Sequence, residues 1–169
     1  MNAASFEKWV KLLFVSLGII LTVTIAFSTL GYISNSKVHY ANFALGIMVL
    51  SALYGVLNLF DEFRKNSYQR AFFFRAGILL VGATLAIVGA AFVRVNALRL
   101  DQIHPFFEDF DFYMGLVFLT GVLLLTWFHW GFILTSLITL TVIYFFFGHY
   151  VTIPILMLPE YDPNFVMNY

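Results

Sequence analysis

Long hydrophobic stretches separated by short polar segments dominate this chain. Residues 112–150, almost forty positions, contain no Lys, Arg, Asp or Glu. A helix rises about 1.5 Å per residue and the hydrocarbon core of a bilayer is about 30 Å thick, so one crossing takes roughly 20 residues. The stretch is too long for one crossing and predicts two helices joined by a tight turn at residues 129–131.

Three further apolar stretches bring the predicted number of crossings to five. The first begins after Lys8 and Lys11, and the third contains Arg94 as its only charge. The first apolar stretch is longer than the apolar part of a usual signal peptide and has no convincing Ala-x-Ala cleavage site after it. We therefore expect it to remain as an uncleaved membrane anchor. The prediction is an all-α integral membrane protein with a single membrane domain over residues 1–169, a bundle of about five transmembrane helices near residues 9–31, 40–60, 76–98, 112–129 and 131–149, and a tail over 150–169.

Composition agrees with this class and excludes several functions. Hydrophobic residues make up 62% of the 169 positions and charged residues 11%, which leaves too few polar groups to cover a soluble domain. Nine basic residues balance nine acidic ones, so net charge gives no reason to expect nucleic acid as a partner. The chain has no cysteine, which removes disulfides, thiolate metal sites and cysteine nucleophiles together.

The basic residues predict the orientation of the helices, because Lys and Arg are retained on the cytoplasmic side. Lys8 and Lys11 precede the first helix, and four more basic residues crowd the segment between the second and third helices. The tail after residue 150 has none. Five crossings therefore predict a cytoplasmic N-terminus and a periplasmic C-terminus.

Small residues recur every four positions in two of the predicted helices, which allows helix backbones to approach closely. They are Gly82, Ala86 and Ala90 in the third helix and Ser51 with Gly55 in the second. A transporter working alone would need ionisable groups at mid-bilayer beside helices broken by Gly or Pro, and these helices offer almost none. No Gly-x-Ser-x-Gly, Walker or dinucleotide motif occurs either, so we expect no enzyme activity.

The polar residues near the predicted helix ends are the candidates for partner contacts. Arg94 lies about one turn from the outer end of its helix, where its guanidinium can extend to the interface; a buried ion pair is the alternative. Tryptophans at the opposite end are of the type favoured at bilayer interfaces. We expect outer-face polar contacts from Lys37, Arg94, Arg99 and Asp101, and interface anchors in Trp127, His129 and Trp130.

The four histidines raise the question of a cofactor. His39, His104 and His149 are predicted near the outer face and His129 near the inner one, and neutral imidazoles at equal depth can ligate haem or a metal. No His-x-x-x-His pair and no HExxH helix occurs, which favours interfacial histidines and no cofactor. A haem- or quinone-associated anchor of a respiratory complex stays an alternative, as does a small independent channel or exporter.

Two short connecting segments leave alternatives open. Residues 63–75 mix basic and aromatic side chains, which suits either an amphipathic helix along the membrane or a solvated connector. Residues 104–111 are acidic and aromatic, which suits either an interfacial anchor or a contact with a partner on the outer side. Neither segment is long enough to fold as a separate domain.

Several motifs in the last third of the chain resemble those of a known transporter family. A break at His-Trp-Gly (129–131) leads into Phe-Ile-Leu, then a helix end Val-Ile-Tyr-Phe-Phe-Phe-Gly-His-Tyr (142–150) and Pro154. The tail over 158–169 and the polar lead Val-His-Tyr-Ala-Asn-Phe-Ala-Leu (38–45) are similar in layout. In order of elements, nearly the whole chain resembles the small membrane subunit of tripartite ATP-independent periplasmic (TRAP) transporters, of the type associated with TAXI binding proteins.

The resemblance implies a place for this chain in a larger assembly. In that family a periplasmic binding protein delivers an organic acid or related solute to a large membrane subunit, and a sodium gradient drives uptake. The small subunit, here a separate polypeptide, is expected to brace the large one in the bacterial inner membrane and to contact the binding protein. Substrate and sodium residues belong to the large subunit, so the resemblance implies no substrate, metal or catalytic residue here.

Overall fold

The computed structural model describes residues 3–31, 36–65, 70–103 and 107–150. Within these ranges the chain forms five α-helices and no strand. A single 3-10 turn, Gly148–Tyr150, extends the last helix. The helices are α1 (Ala3–Thr29), α2 (Ser36–Lys65), α3 (Arg70–Ile103), α4 (Asp109–Trp130) and α5 (Phe132–Phe147).

All five helices are long and apolar enough to cross a membrane, which confirms the predicted fold class. Several extend beyond the apolar stretches seen in the sequence; α3 has 34 residues. The reason is that apolarity reports only the part of a helix inside hydrocarbon, whereas backbone hydrogen bonding continues into the polar flanks. Residues 63–65 end α2 and 70–75 begin α3, so most of the basic connecting segment belongs to these two helices. The predicted tail after residue 150 lies outside the described residues.

Consecutive helices from α1 to α4 pack side by side and run in opposite directions. α3 packs most extensively on α4, then α2 on α3, while α1 contacts α2 and α5 contacts α4. Ion pairs join the start of α1 to the end of α2, and the start of α2 to the end of α3. We call the end of the bundle with the start of α1 the first end, and the opposite end, with the start of α2, the second end.

The centre of the bundle is the contact between α3 and α4. A Cβ on Gly89 would lie 2.5 Å from the Cβ of Phe118, and one on Gly121 would meet the backbone of Ala86. Glycine at these positions therefore lets the helix axes approach more closely than larger residues allow. The buried core beside this contact comprises Leu79, Ala86, Leu125 and Phe128.

Gly131 makes the break between α4 and α5. Its φ of 79° lies in the left-handed region that favours glycine, and its N–H donates to the Trp127 carbonyl at 3.0 Å. α5 then packs against α4 and has no buried residue. Its threonine hydroxyls donate to carbonyls four residues earlier: Thr139 and Thr141 to α5 itself, and Thr135 to Gly131 just before it.

We predict that Gly121→Ala destabilises the protein because the new methyl group meets the backbone of α3. The overpacking is expected to cost about 1–3 kcal/mol, measured as unfolding free energy in a fixed detergent. Gly18→Ala is the matched control, since a Cβ there has no heavy atom within 4 Å. Equal stability of the two variants would contradict the close α3–α4 contact.

Candidate functional site

Charged side chains are confined to the two ends of the bundle. The central parts of all five helices contain no Lys, Arg, Asp or Glu; these uncharged stretches are residues 12–36, 38–60, 76–93 and 112–150. Thr22, Thr24 and Thr84 within them donate their hydroxyls to carbonyls of their own helix. The candidate polar sites of this chain therefore lie at the ends of the bundle.

Arg99 organises the second end. Its guanidinium bonds the carboxylate of Asp111, whose side chain is fully buried, and lies 3.8 Å from Glu108. Asp111 also accepts the backbone N–H of Glu108 at 3.2 Å, which satisfies a donor at the start of α4. One arginine thus ties the end of α3 to the first turn of α4.

Two further contacts tie α2 to α3 at the same end. Lys37 and Asp101 form an ion pair at 3.0 Å, and both side chains are about half exposed. Arg94 donates to the side-chain oxygen of Asn42. Arg94 is thus held by a neutral amide and not by a carboxylate in the described part of the chain, and its extension to the membrane interface stays a prediction. The four expected outer-face residues lie together at this end, and each contacts another residue of the same chain.

His129 connects α4 to α2 nearer the first end. Its Nε2 lies 3.1 Å from the carbonyl oxygen of Ser51 and 3.0 Å from the Ser51 hydroxyl, and its ring stacks on Tyr54. A carbonyl only accepts, so the geometry assigns the proton to Nε2 and leaves Nδ1 as an acceptor. Nδ1 is buried and has no hydrogen-bond partner among the described residues. His129 therefore links two helices, and its role as an interface anchor stays a prediction.

A cleft of about 100 Å³ lies between α2 and α4 beside His129. Trp130 lines it and is 73% exposed, while Trp127 packs edge-on against Phe74 with ring centroids 6.2 Å apart. Apolar side chains make up most of the remaining wall: Ile47, Met48, Val122 and Leu125. The cleft is large enough for a few water molecules.

The described histidines do not converge on one site. His39 is buried near the start of α2, whereas His129 is near the end of α4 at the other side of the membrane-spanning region, and His149 stacks on its neighbour Tyr150. His104 lies outside the described residues. Within the described ranges no group of three or more His, Asp or Glu side chains is arranged to hold a metal ion.

The first end contains a second set of ion pairs. Glu7 is buried and pairs with Lys11 at 2.7 Å and with Arg64 at 2.5 Å. Arg75 pairs with Glu62 at 3.0 Å and its guanidinium lies 5.1 Å from the centre of the Phe128 ring. These contacts join α1 to α2 and α2 to α3, opposite the Arg99 cluster.

Sequence reasoning missed the acceptors in these contacts. Asn42, Ser51 and Glu7 stand in stretches where nothing in the local pattern says which helix they face. The capping role of Asp111 could have been predicted. An acidic residue three positions after Glu108 at a helix start is typical of N-terminal capping. Its pairing with Arg99 depends on the packing of α3 against α4.

Comparisons with known proteins give no independent indication of function. No family model, no curated protein and no solved structure matches this chain. The resemblance to TRAP small subunits therefore rests on the motifs quoted above, and the remaining argument rests on the geometry of the chain itself.

We predict that Arg99→Met is strongly destabilising because it leaves the buried Asp111 carboxylate without its cation. The expected loss of unfolding free energy is about 2 kcal/mol, because the carboxylate is fully buried. It is less than for a fully buried pair, because the guanidinium is partly exposed. Lys37→Met is the matched control and should cost about 1 kcal/mol or less, because its ion pair is exposed. Unfolding free energies in one detergent measure both, and equal losses would contradict the special role of Asp111.

We predict that His129→Ala costs about 1 kcal/mol through loss of the hydrogen bond between α4 and α2. Ser51→Ala should cost less, because the Ser51 carbonyl remains to accept from Nε2. The same unfolding measurement compares the two variants. A Ser51→Ala loss as large as that of His129→Ala would mean that the hydroxyl, not the carbonyl, is the main partner.

Proposed function

We propose that this chain is the small scaffold subunit of a sodium-coupled TRAP transporter for organic acids or related solutes. It braces a large membrane subunit that carries the solute, and its periplasmic face contacts the binding protein. The motifs over residues 129–150 and 38–45 support this class. The proposed location is the bacterial inner membrane, with the N-terminus in the cytoplasm and the C-terminus in the periplasm.

The observation that carries the proposal is the confinement of charge to the two ends of the bundle. A subunit that moved solutes or ions by itself would need ionisable or polar groups along a path through the membrane. Here the hydroxyls of Thr84 and Thr126 donate to their own helices, and the His129 proton is donated to Ser51. Such a bundle is suited to packing against another membrane subunit and poorly suited to conducting ions or solutes.

α5 further supports a role in assembly. It packs against α4, contributes no buried residue to the bundle, and presents large apolar side chains such as Ile133, Leu137 and Leu140 to the outside. A helix that adds so little to its own core is available for packing against another membrane subunit. Lipid is the other environment that such a surface tolerates.

The polar residues of the second end divide into two groups on this proposal. Arg99 and Arg94 hold helices together through Asp111 and Asn42. Lys37 and Asp101 form an exposed ion pair. This pair can open, and each side chain can then pair with an opposite charge on an approaching protein. The exposed pair is therefore the proposed contact for the binding protein.

The proposal is tested by purifying the tagged chain in mild detergent, after expression with the products of its neighbouring genes, and identifying bound proteins by mass spectrometry. We expect a large multi-spanning permease to remain bound, and the binding protein to be captured on its addition with solute. Asp101→Lys should retain the permease but weaken capture of the binding protein several-fold, because it places two lysines side by side.

Asp61→Lys is the matched control. Asp61 is exposed at the first end and pairs with no other residue in the described part of the chain, so the same charge reversal there should leave both partners bound. Recovery of the chain without a permease would contradict the scaffold function. Recovery of a haem or respiratory subunit instead would favour the anchor alternative.

A further inference from the structure

Two basic residues, Lys11 and Arg64, bond one buried carboxylate at the first end of the bundle, and a third, Lys8, follows that carboxylate in the sequence. Glu7 is 8% exposed and bonds both Lys11, one turn later in α1, and Arg64 at the end of α2. Lys8 is exposed and pairs with no acidic side chain in the described part of the chain. Because residues three apart on a helix lie on neighbouring positions, Lys8 and Lys11 project from the same side of α1.

The charges of this cluster do not balance. Glu7 is shared by Lys11 and Arg64, and Lys8 has no acidic partner among the described residues, whereas the neighbouring Arg75 is matched by Glu62 at 3.0 Å. Asp61 at the same end is exposed, so Lys8, Lys11 and Arg64 exceed the carboxylates of Glu7 and Asp61 by one positive charge. The side chains of Lys11 and Arg64 are 60% and 67% exposed, so Glu7 occupies only part of their hydrogen-bonding capacity. The cluster is therefore a partly exposed group of donors with an excess of positive charge.

The candidate spans place the cluster near the depth expected for lipid headgroups. Glu7 and Lys11 stand in the first turns of the first candidate span, and Arg64 is the last residue of the second. The phosphate groups of a bilayer lie immediately outside its hydrocarbon core. Trp9, which is 59% exposed on α1, is an aromatic residue of the kind found at that interface.

The other charged end does not have this character. Arg99 is shared by Asp111 and Glu108, Lys37 is matched by Asp101, and Arg94 is held by Asn42. Asp109 adds a further exposed negative charge there. An anion approaching the second end meets cations that are each matched, together with a free carboxylate. One approaching the first end meets the unpaired Lys8, and Lys11 and Arg64 that share one carboxylate, although Asp61 is also exposed there.

We propose that Lys8, Lys11 and Arg64 form a binding site for a phosphate-bearing anion at the junction of α1 and α2. Glu7 is a positioning residue that holds Lys11 and Arg64 together, and their remaining N–H groups donate to phosphate oxygens. The phosphodiester of an anionic phospholipid has this chemistry at this depth, and free phosphate shares it. The site is independent of the proposed transport function.

Native mass spectrometry of the purified full-length protein tests the site with phosphatidylglycerol, phosphatidylethanolamine and inorganic phosphate as separate probes. We expect phosphatidylglycerol to be retained in preference to phosphatidylethanolamine. Lys8→Gln and Arg64→Gln should each lower its apparent affinity about fivefold, as expected for one basic residue near a membrane surface. Lys37→Gln removes the same charge at the second end and should have no effect.

The Lys8 variant keeps the test informative if Arg64→Gln impairs folding, because Lys8 makes no ion pair with the described side chains. Phosphate retention that falls with the same two variants, without lipid retention, would support the anion site and assign it a soluble ligand. Equal retention of both lipids together with no loss of phosphate in Lys8→Gln would overturn the proposal. An effect of Lys37→Gln as large as that of Lys8→Gln would overturn it as well.

Discussion

The close contact between α3 and α4 is the interaction on which the rest of the bundle depends. Helices in a membrane gain nothing from hiding apolar surface from lipid, so they associate through close packing and polar contacts. Gly121 and Ala86 allow the two backbones to meet, and Leu79, Leu125 and Phe128 pack beside them. α2 attaches to this pair, α1 attaches to α2, and α5 to α4. Loss of the central contact would therefore remove the most extensive packing that holds α4 and α5 to the other helices.

Polar contacts at the two ends complement this packing. At the second end Arg99 and Asp111 join α3 to α4, and at the first end Glu7 and Arg64 join α1 to α2. Because these ion pairs lie at the ends of the bundle, water or lipid headgroups can solvate their exposed atoms. The desolvation cost is therefore smaller than for a fully buried ion pair. His129 and Ser51 are the exception, since they join α4 to α2 within the spanning region. A neutral imidazole bonded to a carbonyl is tolerated there because no net charge is buried.

The proposed scaffold function rests on the same division between an uncharged centre and charged ends. The centre supplies shape and stability, whereas the ends supply groups that can meet a partner or a headgroup. The two ends differ in character: the second is matched and rich in carboxylates, while the first has unmatched cations around Glu7. The two proposals assign a different kind of neighbour to each end, a protein to the second and a phosphate-bearing anion to the first.

Sequence alone determined the class of this protein, because the bilayer constrains it so strongly. A stretch of about 20 apolar residues has to be a helix in hydrocarbon, where every backbone N–H and C=O must be bonded internally. The five helices and the break at Gly131 follow from that requirement. The recurrence of Gly82 and Ala86 likewise predicted a close helix contact, although not the helix that makes it.

Only the tertiary structure decided which polar groups meet. Asn42 and Arg94 are 52 residues apart, and Ser51 and His129 are 78 apart. Their pairing depends on the rotation and relative height of packed helices, which a nearly uniform apolar sequence does not specify. The same holds for the ends of α2 and α3 beyond the apolar stretches. Arg64 pairs with Glu7 of α1 and Arg75 with Glu62 of α2, so these ends are stabilised by neighbouring helices.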